Sequence, residues 1–310
     1  MCEDDYIKMF AGIHDLDIYS ADAEIIQTEM GFELFSTDGF SEHEDFFTDV
    51  PPEITGHNIA VAACSDLLAC GVKPELLLQS WNIDDAKDKD YYRAIATGIE
   101  QVLRHYGARC LGGDIGVGSP WTYTSTVIAH SAFTPVTRIA RQRVPFDLYA
   151  SGTFGDVNLA VLTETPQHKL ELRSPVPPLA LFSTDSSGGF LDALENFRRV
   201  NSGMTLNFDV MKVIAEEVFA HWPPHLDPIW SLIGGAGEYE LVFAMPKGVE
   251  TDAVKIGDGY FTDDVENKFT MFSNGKPLGC MKTPPPDYRS ITPEEWINAT
   301  INYYREMLTP

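Results

Sequence analysis

Between Glu33 and Ala129 the chain switches repeatedly between two hydrophobic periods, and this switching restricts its fold more than any single motif. Glu33–Ser36 is a short apolar run that reads as a strand ending at Thr37-Asp38. After Pro51-Pro52, apolar residues recur at helical spacing (Ile59, Ala62, Ala63, Leu67, Cys70), and Gly71 stands where a helix-ending glycine belongs. Glu75–Trp81 reads as a buried strand. A second helical pattern (Tyr91, Ile95, Ile99, Val102, Leu103) closes at Gly107. Cys110-Leu111 then runs into Gly112-Gly113-Asp114, and Tyr123–Ala129 is a Thr/Val/Ile-rich strand. Strand, helix, strand, helix, strand, strand is an α+β order, not the strict alternation of a doubly wound parallel sheet.

A chain of 310 residues is long enough for two domains. A boundary is expected near Ser131–Arg143, beside Pro135 and Pro145 and within the basic cluster Arg138, Arg141 and Arg143. The expected domains are 1–137 and 138–310. The second half should open with a strand at Leu148–Ala150, continue through helices at about 188–200 and 208–221, and carry an apolar run at Leu241–Phe243. Pro175, Pro177 and Pro178 mark 174–181 as a loop. Trp296, Ile297, Ile301 and Tyr304 mark a packing helix over 292–307.

Charge narrows the choice of partners. There are 46 acidic and 22 basic residues, a formal net charge of −24. Such a chain repels phosphate backbones and anionic lipid, so nucleic acid and membrane surfaces are not expected partners. No apolar run approaches the ~20 residues of a membrane span. The start, Met-Cys-Glu-Asp-Asp, lacks the basic and apolar stretches of a signal peptide, so a soluble cytoplasmic protein is expected. The five cysteines contain no C-x-x-C pair and read as free thiols, not a zinc site or disulfide framework.

The chemistry is expected in a set of aspartates that lie in turns or at strand ends beside small residues: Asp22, Asp38, Asp66, Asp114 and Asp185. Carboxylates are oxygen ligands for hard cations such as Mg²⁺. Small neighbours let a polyphosphate approach the backbone. Taken singly, each aspartate also suits a turn or helix cap. The stretch Gly112–Gly118 lacks the Lys-Ser/Thr of a P-loop and, on its own, reads as a loop. Ser151-Gly152-Thr153-Phe154-Gly155 is not a nucleophile elbow and reads as a structural turn. His43 and His57 stand near the acidic set in sequence, as substrate contacts or as surface or capping residues.

The order of these segments resembles the superfamily of aminoimidazole ribonucleotide synthetase (PurM-like), and within it the thiamine-monophosphate kinases. The resemblance runs through Ser20-Ala21-Asp22-Ala23, Ser36-Thr37-Asp38, Cys64-Ser65-Asp66-Leu67 and Gly112-Gly113-Asp114-Ile115. It continues through Ser151-Gly152-Thr153-Phe154-Gly155-Asp156, Asp185-Ser186-Ser187-Gly188-Gly189 and Gly235-Ala236-Gly237-Glu238-Tyr239-Glu240-Leu241, and covers about residues 15 to 265. It implies a homodimer built through a β-barrel of N-terminal domains, a C-terminal α+β domain, and ATP in the cleft between them.

The same resemblance implies Mg²⁺ held by Asp22, Asp38, Asp66, Asp114 and Asp185. It places Asp38, Gly112, Gly113, Asp114 and Ser187 against the nucleotide, with Asp114 and Asp185 as catalytic positions. The implied reaction moves the terminal phosphoryl group of ATP to a small anionic acceptor. Departures from the kinase pattern are Ala21 and Gly188 where it has aspartates, and Glu44-Asp45-Phe46 and Ile115 in the segments after Asp38 and Asp114. They leave open two alternatives: an ATP-activating synthetase or dehydratase of the same fold, and a non-enzymatic nucleotide-binding paralogue.

Overall fold

The computed structural model describes residues 3–42, 50–163, 165, 169–224, 227–232, 237–281, 284–286 and 293–307. Expectations for Cys2, His43, Glu44, Asp45, Phe46, Gly235, Ala236 and the side chains of Trp296 and Ile297 fall outside them. In chain order the elements are α1 (Glu3–His14), β1 (Glu24–Thr28), β2 (Gly31–Ser41), α2 (Pro52–Ala69), β3 (Leu76–Ile83), α3 (Lys89–Tyr106), β4 (Arg109–Val117) and β5 (Thr122–Ser131). Then follow β6 (Phe146–Ala150), α4 (Asp156–Leu162), β7 (Phe182–Thr184), α5 (Phe190–Val200), β8 (Met204–Asp209) and α6 (Glu216–His221). The last are β9 (Val242–Pro246), β10 (Val254–Phe261), β11 (Lys268–Ser273), β12 (Lys276–Met281) and α7 (Pro293–Met307).

Two mixed sheets divide the chain. The first has the order β1-β2-β5-β3-β4, the second β12-β11-β8-β10-β6-β9-β7. Helices α2 and α3 cover one face of the first sheet. They approach closely because a Cβ at Gly56 would overlap the Ile95 carbonyl, and one at Gly98 would overlap the Glu53 carbonyl. Local chemistry fixes the ends of α3: the Asp88 side chain accepts from Tyr91 N at 2.8 Å, and Gly107 closes the helix at φ +78°.

Helix α2 is a core helix. From Thr55 to Ala69 every residue except Asp66 is buried. It lies between the first sheet and the second unit, and Tyr149, Phe243 and Met245 of the second sheet join its apolar cluster. The opposite face of the second sheet packs Phe146, Phe182 and Phe208 against Phe190, Leu194 and Phe197 of α5. Strand β6 is therefore buried on both faces, which explains its unbroken burial, Asp147 included.

Two expectations are corrected. The helix expected at about 208–221 is instead the end of β8, a 3-10 turn at Val210–Lys212 and the short α6. Met204, Leu206 and Phe208 are buried alternately, a strand period, and the Asp209 side chain accepts from Met211 N to start the turn. The stretch read as a loop at Gly112–Gly118 is largely strand: β4 pairs in parallel with β3 through Asn82↔Gly116 and Ile83↔Val117. The tight turn at 151–155, the loop at 174–181 and the helices over 52–69, 89–106, 190–200 and 293–307 lie where the residue patterns put them. No helix among the described residues is long and apolar enough to cross a membrane. The four described cysteines are free.

Candidate metal and phosphate site

Three of the five aspartates meet. Asp22 comes from the turn before β1, Asp66 from α2 and Asp185 from the residue after β7, and one ligand atom of each lies within 4.8 Å of the others. The fold brings them together because α2 is clamped between the two units. The Ser183 hydroxyl donates to the Ala69 carbonyl, so β7 is tied to the last turn of α2 and Asp185 emerges above it. Asp66, the one residue not fully buried along that face of α2, opens toward the same point.

Hydroxyls orient the carboxylates. Ser36 donates to Asp66 Oδ2 at 2.5 Å, and Ser65 donates to Asp185 Oδ2 at 2.6 Å. Asp22 is held differently. Its Oδ1 accepts from Arg138 Nη2 at 2.6 Å and Nε at 3.2 Å, and from Thr184 Oγ1 at 2.7 Å. Its Oδ2 is buried and has no hydrogen-bond partner.

The electrostatics follow from like charges in a dry place. Burial, then the neighbouring Asp22, push Asp185 up to about 6, against the Ser65 hydrogen bond and Arg138. Asp66 is raised well above the ordinary carboxylate range by burial first, then by Asp185, Asp38 and Asp22. Such a cluster is stabilised by a bound cation, and Asp22 Oδ2, buried without a hydrogen-bond partner, is an oxygen left free to ligate one. The residues present therefore fit a hard divalent cation.

The other expected positions lie nearby or apart. Asp38 is half-buried in β2, close enough for its charge to act on Asp66. It stands in a cross-sheet row with Ser125, Gln79 and Gly113. Gly113 runs so close to β3 that a Cβ there would overlap the Gln79 carbonyl. Gly112 and Asp114 sit with it on β4, the sheet edge, where Asp114 is exposed. Three strand steps separate β4 from β2, about 14 Å, so Asp114 is outside the three-carboxylate group. Ser187 is half-buried beside the cluster, its N–H 3.4 Å from Asp185 Oδ1.

His57 is a core residue: it is buried, and its Nε2 lies 2.8 Å from the Leu170 carbonyl oxygen. The basic cluster splits. Arg138 enters the carboxylate group, whereas Arg141 donates to the Pro178 carbonyl at 3.1 Å and Arg143 to the Thr262 carbonyl at 3.0 Å. Residue types alone did not mark Arg138 out from its neighbours.

A cavity of about 740 Å³ adjoins the site, lined among others by Thr153, Asp156, Lys169, Arg173, Glu238 and Glu240. Ser186, next to Asp185, accepts from Glu240 N at 2.9 Å and so joins the cavity wall to the metal loop. Glu240 is paired with Arg173 and accepts from Ser151. Glu238 accepts from Gly155 N at 2.6 Å and is raised well above the usual carboxylate range by burial. The turn at 151–155 is thus fastened to the 238–240 segment.

Comparison with known proteins bears on the fold. Residues 20–131 match the family described as AIR synthase related protein, N-terminal domain. A thiamine-monophosphate kinase of Archaeoglobus fulgidus is 22% identical over 242 residues, which cover 74% of this chain and 80% of that one. The structure of thiamine monophosphate kinase from Aquifex aeolicus superposes with a TM-score of 0.72 at 20% identity, covering 90% of this chain and 99% of that one. That of AaThiL complexed with AMPPCP and TMP gives 0.73 at 20% identity, covering 89% and 94%. Residues 20–131 thus match the AIR synthase related N-terminal domain, and the fold over most of the chain is like that of the thiamine-monophosphate kinase structures.

Proposed function

We propose that the chain is an ATP- and Mg²⁺-dependent phosphotransferase of the thiamine-monophosphate kinase type. The observation that carries this reading is the meeting of Asp22, Asp66 and Asp185, with one buried oxygen of Asp22 left without a hydrogen-bond partner. These three carboxylates, with Asp38 beside them, would hold Mg²⁺. The bound ion supplies charge neutralisation at the phosphates. Ser36 and Ser65 keep the carboxylate oxygens oriented, and the half-buried loop at Ser187 lies beside the phosphates. An acceptor oxygen attacks the terminal phosphorus in line, the bond to the bridging oxygen breaks, and ADP leaves. No covalent residue is required.

The adjoining cavity suits the acceptor. Glu171 and Glu217 line it with acidic groups, which favours a cationic ring, and Lys169 is the cation placed to meet an anionic group, Arg173 being already paired with Glu171 and Glu240. Asp114, Gly112 and Gly113 would serve from the edge strand. That strand exposes Leu111 (50%), Ile115 (68%) and Val117 (76%), an apolar edge that a second copy would cover. A homodimer closing the first sheets into a barrel, with domains 1–137 and 138–310 in each cytoplasmic chain, completes the reading.

The test is transfer of label from γ-labelled ATP to thiamine monophosphate in the presence of Mg²⁺. A labelled diphosphate product is expected. Release of ADP and free phosphate without transfer points instead to a carbonyl- or amide-activating enzyme. Failure to bind nucleotide and metal at all overturns the enzymatic reading.

A further inference from the structure

We propose that Arg138 is a resident counter-ion of the carboxylate cluster, so that one divalent cation, not several, completes the site in each chain. This rests on the metal-site reading above and adds the number of ions and the residue that sets it.

Asp22 divides its two oxygens between two kinds of partner. Oδ1 is saturated by protein donors, taking two guanidinium N–H groups and the Thr184 hydroxyl, with Asp185 N at 3.4 Å. Oδ2 has none. A metal ion therefore has one Asp22 oxygen available, and the position facing Oδ1 is filled by the guanidinium. The ion pair is enclosed: the Arg138 side chain is 13% exposed and the Asp22 side chain 1%.

The backbone keeps Arg138 in place. Its N–H donates to the Ser20 carbonyl at 2.9 Å, the neighbouring Thr137 carbonyl accepts from Ser183 N at 3.0 Å, and its own carbonyl accepts from Asn201 Nδ2 at 2.9 Å. The guanidinium is therefore built in, not a mobile surface group. The same chain lacks carboxylates at Ala21 and Gly188. A fixed positive charge with fewer negative ones is a consistent set.

The experiment is Mn²⁺ titration of the full chain at alkaline pH without nucleotide, counting bound ions by electron paramagnetic resonance. Asp185→Asn serves to identify the ions that belong to the cluster. One cluster ion per chain is expected. In Arg138→Met the cluster should take a second ion or bind the first roughly tenfold or more tightly, since a unit charge has been removed a few ångströms away. Its melting temperature should also rise more with Mn²⁺ than the native chain's does. Arg138→Lys, which keeps the charge, should retain one ion.

Two cluster ions in the native chain overturn the proposal. So does an Arg138→Met chain with unchanged count, affinity and thermal gain. If Arg138→Met does not fold without metal, millimolar Mn²⁺ should restore its melting transition; failure to do so while Arg138→Lys folds also overturns it. Absence of any Mn²⁺ binding to the native chain removes the metal site altogether. One ion bound regardless of Arg138 removes only the counter-ion role.

Discussion

Ser65 on α2 donates a 2.6 Å hydrogen bond to Asp185 Oδ2, joining two residues 120 positions apart and belonging to different sheets' units. Both are buried, Ser65 1% and Asp185 2% exposed. This bond fixes the carboxylate at the top of β7 over the helix that carries Asp66.

Ser65→Ala should therefore act on both stability and metal binding. Leaving a buried carboxylate oxygen without its donor costs about 1–3 kcal/mol, to be read from urea unfolding. Because the Ser65 bond lowers the Asp185 pKa, its loss should also move the pH dependence of Mg²⁺ binding upward. A variant with native stability and an unmoved pH profile would contradict the assigned role.

The cluster predicts an unusual response to pH. Asp185 is raised to about 6 by burial and Asp22, and Asp66 is raised as well. Between the ordinary aspartate value of about 4 and 6, the folded chain holds protons the unfolded chain has released. Metal-free stability should therefore fall as pH rises through this window, by about 2 kcal/mol for Asp185. Mg²⁺ competes with those protons, so its gain in melting temperature should be larger at pH 8 than at pH 5. Thermal melts with and without Mg²⁺ at the two pH values check both signs.

Gly188→Asp, which restores a carboxylate found in the related kinases, should not restore a metal ligand. A Cβ at residue 188 would overlap the Asp192 carboxylate on α5. The added group must displace it, with two like charges in contact. A loss of about 1–3 kcal/mol is expected, with no tightening of Mn²⁺ binding. Gly188→Asp combined with Asp192→Ala should recover most of the stability. Calorimetric melts of the single and double variants decide the matter.

Asp114→Asn separates nucleotide contact from fold. Asp114 is exposed on the edge strand, so stability should stay within about 0.5 kcal/mol of native. If Asp114 meets phosphate or metal in the assembled enzyme, the KM for ATP should rise about tenfold, or about 1.4 kcal/mol. An unchanged KM would confine this residue to the surface of the sheet.

Much of this protein was written in local patterns. The 3.6-residue period of α3, its Asp88 cap and Gly107 stop, and the apolar run of β5 are short-range properties that sterics and burial enforce wherever the chain goes. The order of small residues and aspartates marked the segments of Asp22, Asp66 and Asp185, which meet, and also that of Asp114, which lies apart from them. Local patterns failed where burial overrode them. Met204, Leu206 and Phe208 alternate in a strand that was hidden next to a helix-like run, and Gly112-Gly113 resembled a loop although β3 pairs with it.

Which aspartates meet is a different kind of fact. Asp22 and Arg138 are 116 residues apart, and nothing in either segment specifies the other. They touch because the 136–138 connection hydrogen-bonds to α2, to the turn before β1 and to β7 at once. Asp114, equally conspicuous as a residue type, stays on the sheet edge, away from the three that converge. Residue chemistry settles what each carboxylate is able to bind; the docking of α2 between two sheets settles which of them converge, because like charges gather only where packing energy holds them together.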